Sequence, residues 1–401
     1  MKVKFIILFF ILFGYHAFAQ KKWYKVDDPE SKFCNFIDTF GNKCKIGTHL
    51  KTNITDSFSC GLICINFKKQ ANEPNKWGCL NENGDTIING NYLEQFTFYN
   101  GVARVFTDEI IDNATNETIG YYCKYINTKG IEICEKQFES ENSYDMNYNW
   151  TVAKSGNFWY ILSKNGKLKE ISVDYENVSP FSDGLSNCKR INQYTAFIDT
   201  SGFSVFETSN ENYVGDFVNG FAPYSSIKGK FGYINKQGKP ITSCIFEKIN
   251  GFSNGLASVR IYNQWGFIDS TSKYIVKPMY SFAGSFSDGF AKVCLNNKCG
   301  FIDKKGNIAI DLVYNDVIEF NGETAAVKDE NDNWGFINKN GIFLISPQFY
   351  EVENFDKNGF AIVKYTDKKS YKNGKLEHFE KALINRNGKI IWYSGEKLVI
   401  K

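Results

Sequence analysis

Trp265-Gly266-Phe267-Ile268-Asp269 returns along the chain as Cys299-Gly300-Phe301-Ile302-Asp303 and as Trp334-Gly335-Phe336-Ile337-Asn338, and in weaker form from Trp77-Gly78. Aligned on the residue that closes the motif, the copies fall at Asp38, Asn81, Asn127, Ser163, Asp199, Asn235, Asp269, Asp303, Asn338 and Asn385. Six of the nine steps between them are 34–36 residues long, which is a structural period. The longer steps carry insertions such as residues 68–74 and 366–380, which map to loops in repeat proteins.

The motif is a strand running into a tight turn. Three residues past the Asp or Asn stands a glycine in nearly every copy, as at Gly238, Gly306 and Gly341; Ser272 is the exception. An Asp or Asn side chain can accept from backbone N–H groups two residues on, and glycine takes the positive φ that completes the turn. Phe and Ile project to opposite faces of the strand and both are apolar in most copies, so both faces are expected to be covered.

Beyond the turn comes a second apolar strand, such as Ile308-Ala309-Ile310, and then an aromatic pair six residues apart, such as Tyr280 and Phe286 or Phe349 and Phe355. A glycine and an alanine follow, as in Gly289 and Ala291, and lead an alternating stretch, Ala257-Ser258-Val259-Arg260, which reads as a half-buried strand. Each unit is therefore about three short antiparallel strands plus an aromatic-rich connector, with no helical periodicity. It is too small to bury its own apolar face and must stack on its neighbours. The aromatic slots recur at repeat spacing, which favours core over a ladder for sugar rings. The fold class is all-β, with about ten units over residues 33–401. Ten units exceed the usual four to eight blades of a closed propeller, whereas an open array accepts any number. The N-terminal third is divergent and the last copy, 381–401, reads as a half-repeat, as caps do. An open or superhelical β array is the expectation, with a closed β-propeller as the alternative.

Residues 1–19 carry the marks of a secretory signal: Lys2 and Lys4, the apolar run Phe5 to Phe13, and Ala17-Phe18-Ala19 before Gln20. The run is too short to span a bilayer. Cleavage near Ala19 would leave a short segment, 20–32, ahead of the array, and an exported chain that is periplasmic, at the cell surface or extracellular. Lys plus Arg number 47 against 44 Asp plus Glu, a balance that gives no electrostatic reason to expect nucleic acid. The 11 Cys form no C-x-x-C pair, so zinc and dithiol redox chemistry lack support. Cys294 and Cys299 flank a two-residue turn at Asn296-Asn297 and a cross-strand disulfide fits that register. The favoured reading is a set of small buried hydrophobes, since Cys299 stands where other copies have Trp and Cys79 where they have Phe.

Trp-Gly-Phe-Ile-Asp-x-x-Gly, an apolar strand, Pro-x-Phe/Tyr and Phe-x-x-Gly-Phe/Leu-Ala-x-Val together resemble the bacterial WG (KWG) repeat family. The best copies run from Trp265 to Lys298 and from Trp334 to Lys364, with Pro278 and Pro347 in the expected place. Early copies lack the Trp-Gly pair, Cys34-Asn35 and Cys123-Lys124 standing there. The signal and the Phe/Asn/Lys-rich composition look like an exported protein of the Bacteroidetes type. The resemblance implies an interaction or structural module and brings no catalytic residues.

No catalytic, cofactor-binding or metal-binding residue is assigned. His49 and His378 are far apart, which argues against His-metal and Ser-His or Cys-His sites. Asp329 to Trp334 lacks the glycine and the twelfth-position Glu of a calcium loop and reads as a solvated turn. Asp199, Asp269 and Asp303 share one local context, which favours turn formation over glycosidase chemistry. The residues singled out are structural: Trp77, Gly78, Trp265, Gly266, Phe267, Asp269, Gly300, Phe301, Asp303, Trp334, Gly335, Phe336 and Asn338. The functional expectation is an exported non-catalytic module that binds or scaffolds a protein, peptide or glycan at the cell envelope. The alternatives are a glycan hydrolase with acids such as Asp38 and Glu94 in the divergent third, and a structural spacer. The ending Lys397 to Lys401 faintly resembles a surface-sorting end and reads better as a last strand.

Overall fold

The computed structural model describes residues 23–26, 35–38, 58–67, 73–146, 149–171, 174–190, 194–209, 213–225, 229–356, 358–365, 371–372, 375–376 and 380–393. One unit shows how the sequence makes the fold. Strands Phe282–Ser287, Phe290–Leu295, Lys298–Asp303 and Ile308–Tyr314 form an antiparallel meander; we call them a, b, c and d. Asp288 and Gly289 turn a into b with positive φ of 49° and 94°, and Asn296 and Asn297 turn b into c with 52° and 61°. Two consecutive left-handed residues make the hairpin turn whose twist matches that of the strands. The motif turn, Asp303 to Gly306, joins c to d. The aromatic connector of the sequence reading is itself strand a, which raises the count from three strands to four in most units; a register shift between Ala283 and Phe286 had hidden its period of two.

Among the described residues there are eight sheets of three or more strands. They follow one another at 62–92, 102–171, 175–209, 213–235, 248–280, 282–314, 316–349 and 351–393. Strand d of one sheet runs into strand a of the next with little or no connector, as from Tyr280 through Ser281 to Phe282. Neighbouring sheets meet at a repeated joint. Ser253 Oγ donates to Phe286 O at 2.6 Å, Ser287 Oγ to Phe320 O at 2.7 Å and Asn219 Nδ2 to Phe252 O at 2.7 Å. Between successive a strands Asn250 Nδ2 reaches Ala283 O at 3.3 Å. On the rim, the c–d turn of one sheet sits on strand d of the sheet before it: a Cβ on Gly306, whose φ is 85°, would lie 2.6 Å from Val276. The same step repeated turns the chain around an axis, with a strands inside and d strands outside.

This corrects the open or superhelical array. The chain is a β-propeller of eight blades in a ring. Counting turn signals overstated the blades, because a signal does not always own a sheet. The units of Asn127 and Ser163 share one six-stranded sheet: the outer strand of the first shrinks to Phe138–Glu139, which pairs with Tyr122 and Cys123 on one side and Lys154 on the other. The supposed half-repeat after Lys381 supplies strands c and d of the last blade, Glu380–Asn385 and Ile390–Tyr393. Strands Trp23–Val26 and Asn35–Asp38 pair in a small separate sheet. The signal region 1–19, His49, His378 and Lys397 to Lys401 lie outside the described residues.

The core lies between blades. Phe267 packs with Ile302 of the following blade, Phe301 with Ile337, Phe336 with Ile384 and Tyr233 with Ile268. Each motif thus turns its aromatic toward the next blade and its aliphatic toward the previous one.

Candidate functional site

The repeated residues are spent on structure. Trp77 and Trp265 are buried, Trp334 is half-buried, and Phe267, Phe301 and Phe336 are fully buried. The glycine after the tryptophan is fixed by space. Trp265 pairs with Tyr280 and Phe267 with Val276, so strand d bulges at that point. A Cβ on Gly266 would lie 2.5 Å from Val276 O and 2.7 Å from Pro278 N. Gly78, Gly300 and Gly335 meet strand d backbone in the same way. Pro278, inside the bulge, has no N–H to lose.

The motif carboxylates close their own turns. Asp303 Oδ1 accepts from the N–H of Lys305 at 2.8 Å and of Asn307 at 2.9 Å. Asp199, Asp269 and Asn338 do the same, as does Asp329 in the acidic stretch before Trp334. Of the pair Asp38 and Glu94, Glu94 is half-exposed and the Asp38 side chain lies outside the described residues. No group of three or more His, Cys, Asp or Glu is placed to hold a metal among the described residues.

Two disulfides tie strands b and c, Cys294 to Cys299 and Cys64 to Cys79. The favoured reading of these cysteines as plain hydrophobes is corrected: each pair lies directly opposite on a rung of the sheet, Cys294 with Cys299 and Cys64 with Cys79, which brings the sulfurs within bonding reach. Cys123 and Cys188 remain free and buried.

A cavity opens on the turn face, where the a–b and c–d turns gather. A half-open cleft of about 430 Å³ is lined by Asn149, Trp150, Asp183, Thr200, Val218 and Asn219, with Ser182, Gly184 and Phe217 completing its walls. Three successive a–b turns form it. The c–d turn holding Thr200 forms one side. Local sequence contributes to the opening. At several joints the second residue of the c–d turn is basic and reaches back to the preceding a–b turn. Lys236 Nζ meets Asp183 Oδ1 at 2.9 Å; Lys164 and Arg386 come to about 4.0 and 3.0 Å from where a Cβ on Gly101 and Gly322 would be. At the joint facing Asn149 and Trp150 that residue is Thr200, which is too short to cross. Trp150 stands where other blades have Val102, Leu185, Leu256, Thr324 or a phenylalanine, just past the turn, and it is half-buried as Phe221, Phe290 and Phe360 are.

The model of the WG containing repeat matches residues 77–109, 231–265, 265–299, 300–333 and 334–368. The chain is a WG-repeat protein. The five matched segments all start at or beside the strand c motif, so a WG repeat as defined by sequence spans strands c and d of one blade and a and b of the next. No curated protein matches this WG-repeat chain. Among solved structures it is similar to the crystal structure of the eukaryotic initiation factor, at 9% identity and a TM-score of 0.52 over 94% of this chain and 96% of that one. That likeness supports the shared fold. BamB from Moraxella catarrhalis matches at 10% identity and a TM-score of 0.32 over 68% and 93% of the two chains, and Kluyveromyces lactis Hsv2p at 10% and 0.32 over 61% and 92%.

The sequence reading placed the WG motif in strand and turn, and missed the cleft. The sequence offered a partial signal: Thr200 where Lys164, Lys236, Lys304 and Lys339 stand in other turns, and Trp150 as the one tryptophan in a slot that elsewhere holds an aliphatic residue, a threonine or a phenylalanine.

Proposed function

We propose that this WG-repeat protein is an exported, non-catalytic binding module of the cell envelope, and that its recognition surface is the turn face around Trp150. The observation that carries the reading is the contrast between the motif and the cleft. The repeated carboxylates are occupied by their own turns and the repeated aromatics by the inter-blade core, while the cleft gathers Trp150 and neutral polar side chains around a cavity of small-ligand size. A rigid ring with binding residues on turns is a common division of labour between scaffold and site. The signal features of residues 1–19 and the two disulfides both suit an oxidising compartment outside the cytoplasm.

The test is a solution screen of the chain from residue 20 onward against oligosaccharides and peptides, read for both binding and product. Saturable binding with the ligand recovered intact supports the module. Turnover of the ligand, or the absence of any saturable binding, contradicts it. N-terminal sequencing of the secreted form, with a start at Gln20, tests export.

A further inference from the structure

We infer that the turn-face cleft takes the uncharged sugar rings of a short neutral oligosaccharide, with Trp150 as the apolar platform; this rests on the binding-module reading above. The argument begins with charge. Asp183 is the one formally charged residue in the lining, and its charge is already matched: Oδ1 faces Lys236 Nζ at 2.9 Å and Oδ2 accepts from Gly220 N at 2.6 Å. A charged ligand would find no free counter-charge in the walls.

The polar groups that remain are neutral and of both kinds. Among the described residues the Asn149 carboxamide and the Thr200 hydroxyl make no side-chain hydrogen bond, and Asn219 spends its Nδ2 on Phe252 O and keeps Oδ1. A carboxamide and a hydroxyl both donate and accept, and Oδ1 accepts, so the set suits ligand hydroxyls, which also do both. The apolar part of the lining is the half-buried Trp150, Val218, which is 48% exposed, and the buried Phe217. A sugar ring has this same division, an apolar face of C–H groups and an edge of hydroxyls. An extended peptide is less well matched, because the walls are turns and offer no open strand edge to extend. The volume, about 430 Å³, lies within the range of small-ligand sites.

Two substitutions test this from opposite sides. Trp150→Ala removes the platform. Thr200→Lys introduces the basic side chain that Lys236 carries at the next joint, and so fills the cleft without touching the core. Binding is measured by calorimetry and on an array of neutral oligosaccharides, acidic oligosaccharides and peptides, with thermal unfolding as a check on folding. The expected result is saturable binding of a neutral oligosaccharide, weakened about tenfold or more by each substitution, with the unfolding temperature of Thr200→Lys close to that of the parent. Binding of an acidic oligosaccharide or a peptide that Thr200→Lys abolishes overturns the neutral-sugar assignment and leaves the binding module standing. Neutral-sugar binding that Thr200→Lys leaves intact overturns the placement in this cleft. The absence of all binding overturns both.

Discussion

Phe267 and Ile302 meet across the boundary between two blades, both wholly buried in one cluster with Val276, Phe286 and Val293. They occupy adjacent places in the repeat, yet each touches the other's blade and not its own copy. The blades are therefore held by the alternation of one strand: the aromatic faces forward around the ring and the aliphatic faces back. Phe267→Ala should destabilise the chain by about 3–5 kcal/mol and Ile302→Ala by about 2–5 kcal/mol. Because the two share one site, the double variant should depart from additivity by about 0.5–3 kcal/mol in denaturant unfolding. Additive effects would mean that the two side chains do not share a core.

Gly266 gives a sharper test, since its role is space and not flexibility. A Cβ there would lie 2.5 Å from Val276 O, in the strand d bulge that holds Pro278. Gly266→Ala should cost about 1–3 kcal/mol, whereas Gly251→Ala, where nothing lies within 4 Å of the added atom, should be mild. Equal effects in thermal unfolding would remove the explanation offered for the glycine of the WG pair.

What was legible in the sequence follows from locality. Asp303 and Gly306 specify their turn within four residues, and Phe301 and Ile302 their two faces within two, so strand and turn could be read directly. Ring closure depends on the angle between blades, which no single repeat encodes. The hairpin register that joins Cys64 to Cys79 spans 15 residues across an insertion, too far for turn chemistry to set. The cleft was hidden differently. Thr200 and Trp150 lie in different repeats, and their meeting appears only once the a–b and c–d turns of neighbouring blades are known to face each other.

The motif Asp makes the stability depend on acid. The Asp269 carboxyl is held below its ordinary value of 3.8 by the Thr271 hydroxyl, against some desolvation, and by the N–H groups of Lys273 and Thr271. A carboxyl whose folded value is lowered adds stability above its unfolded value and loses it as pH falls through the folded one. Asp269→Asn keeps the acceptor, as Asn338 does, and cannot titrate. The stability difference between parent and variant should be constant above pH about 5 and should change in the variant's favour below 3.8. Urea midpoints across that range measure it; a difference that stays constant through the acid range would contradict the turn's ionic part.

Cysteine chemistry should divide the chain. Burial pushes the Cys188 thiol up to about 12 and the Cys123 thiol up to about 11, so little thiolate is present at neutral pH. Alkylation of the folded, oxidised chain should leave both unmodified, and peptide mapping should recover Cys64 with Cys79 and Cys294 with Cys299 as linked pairs. Rapid labelling of Cys188 without unfolding would contradict its place in the core.

The claim that the repeats close into a ring is tested most directly by small-angle X-ray scattering from the chain beginning at residue 20. A closed propeller of that length should give a radius of gyration near about 21 Å, by the scaling for compact domains, with a bell-shaped distance distribution. A distribution with a long tail and a radius well above that value would show an extended array and contradict the ring.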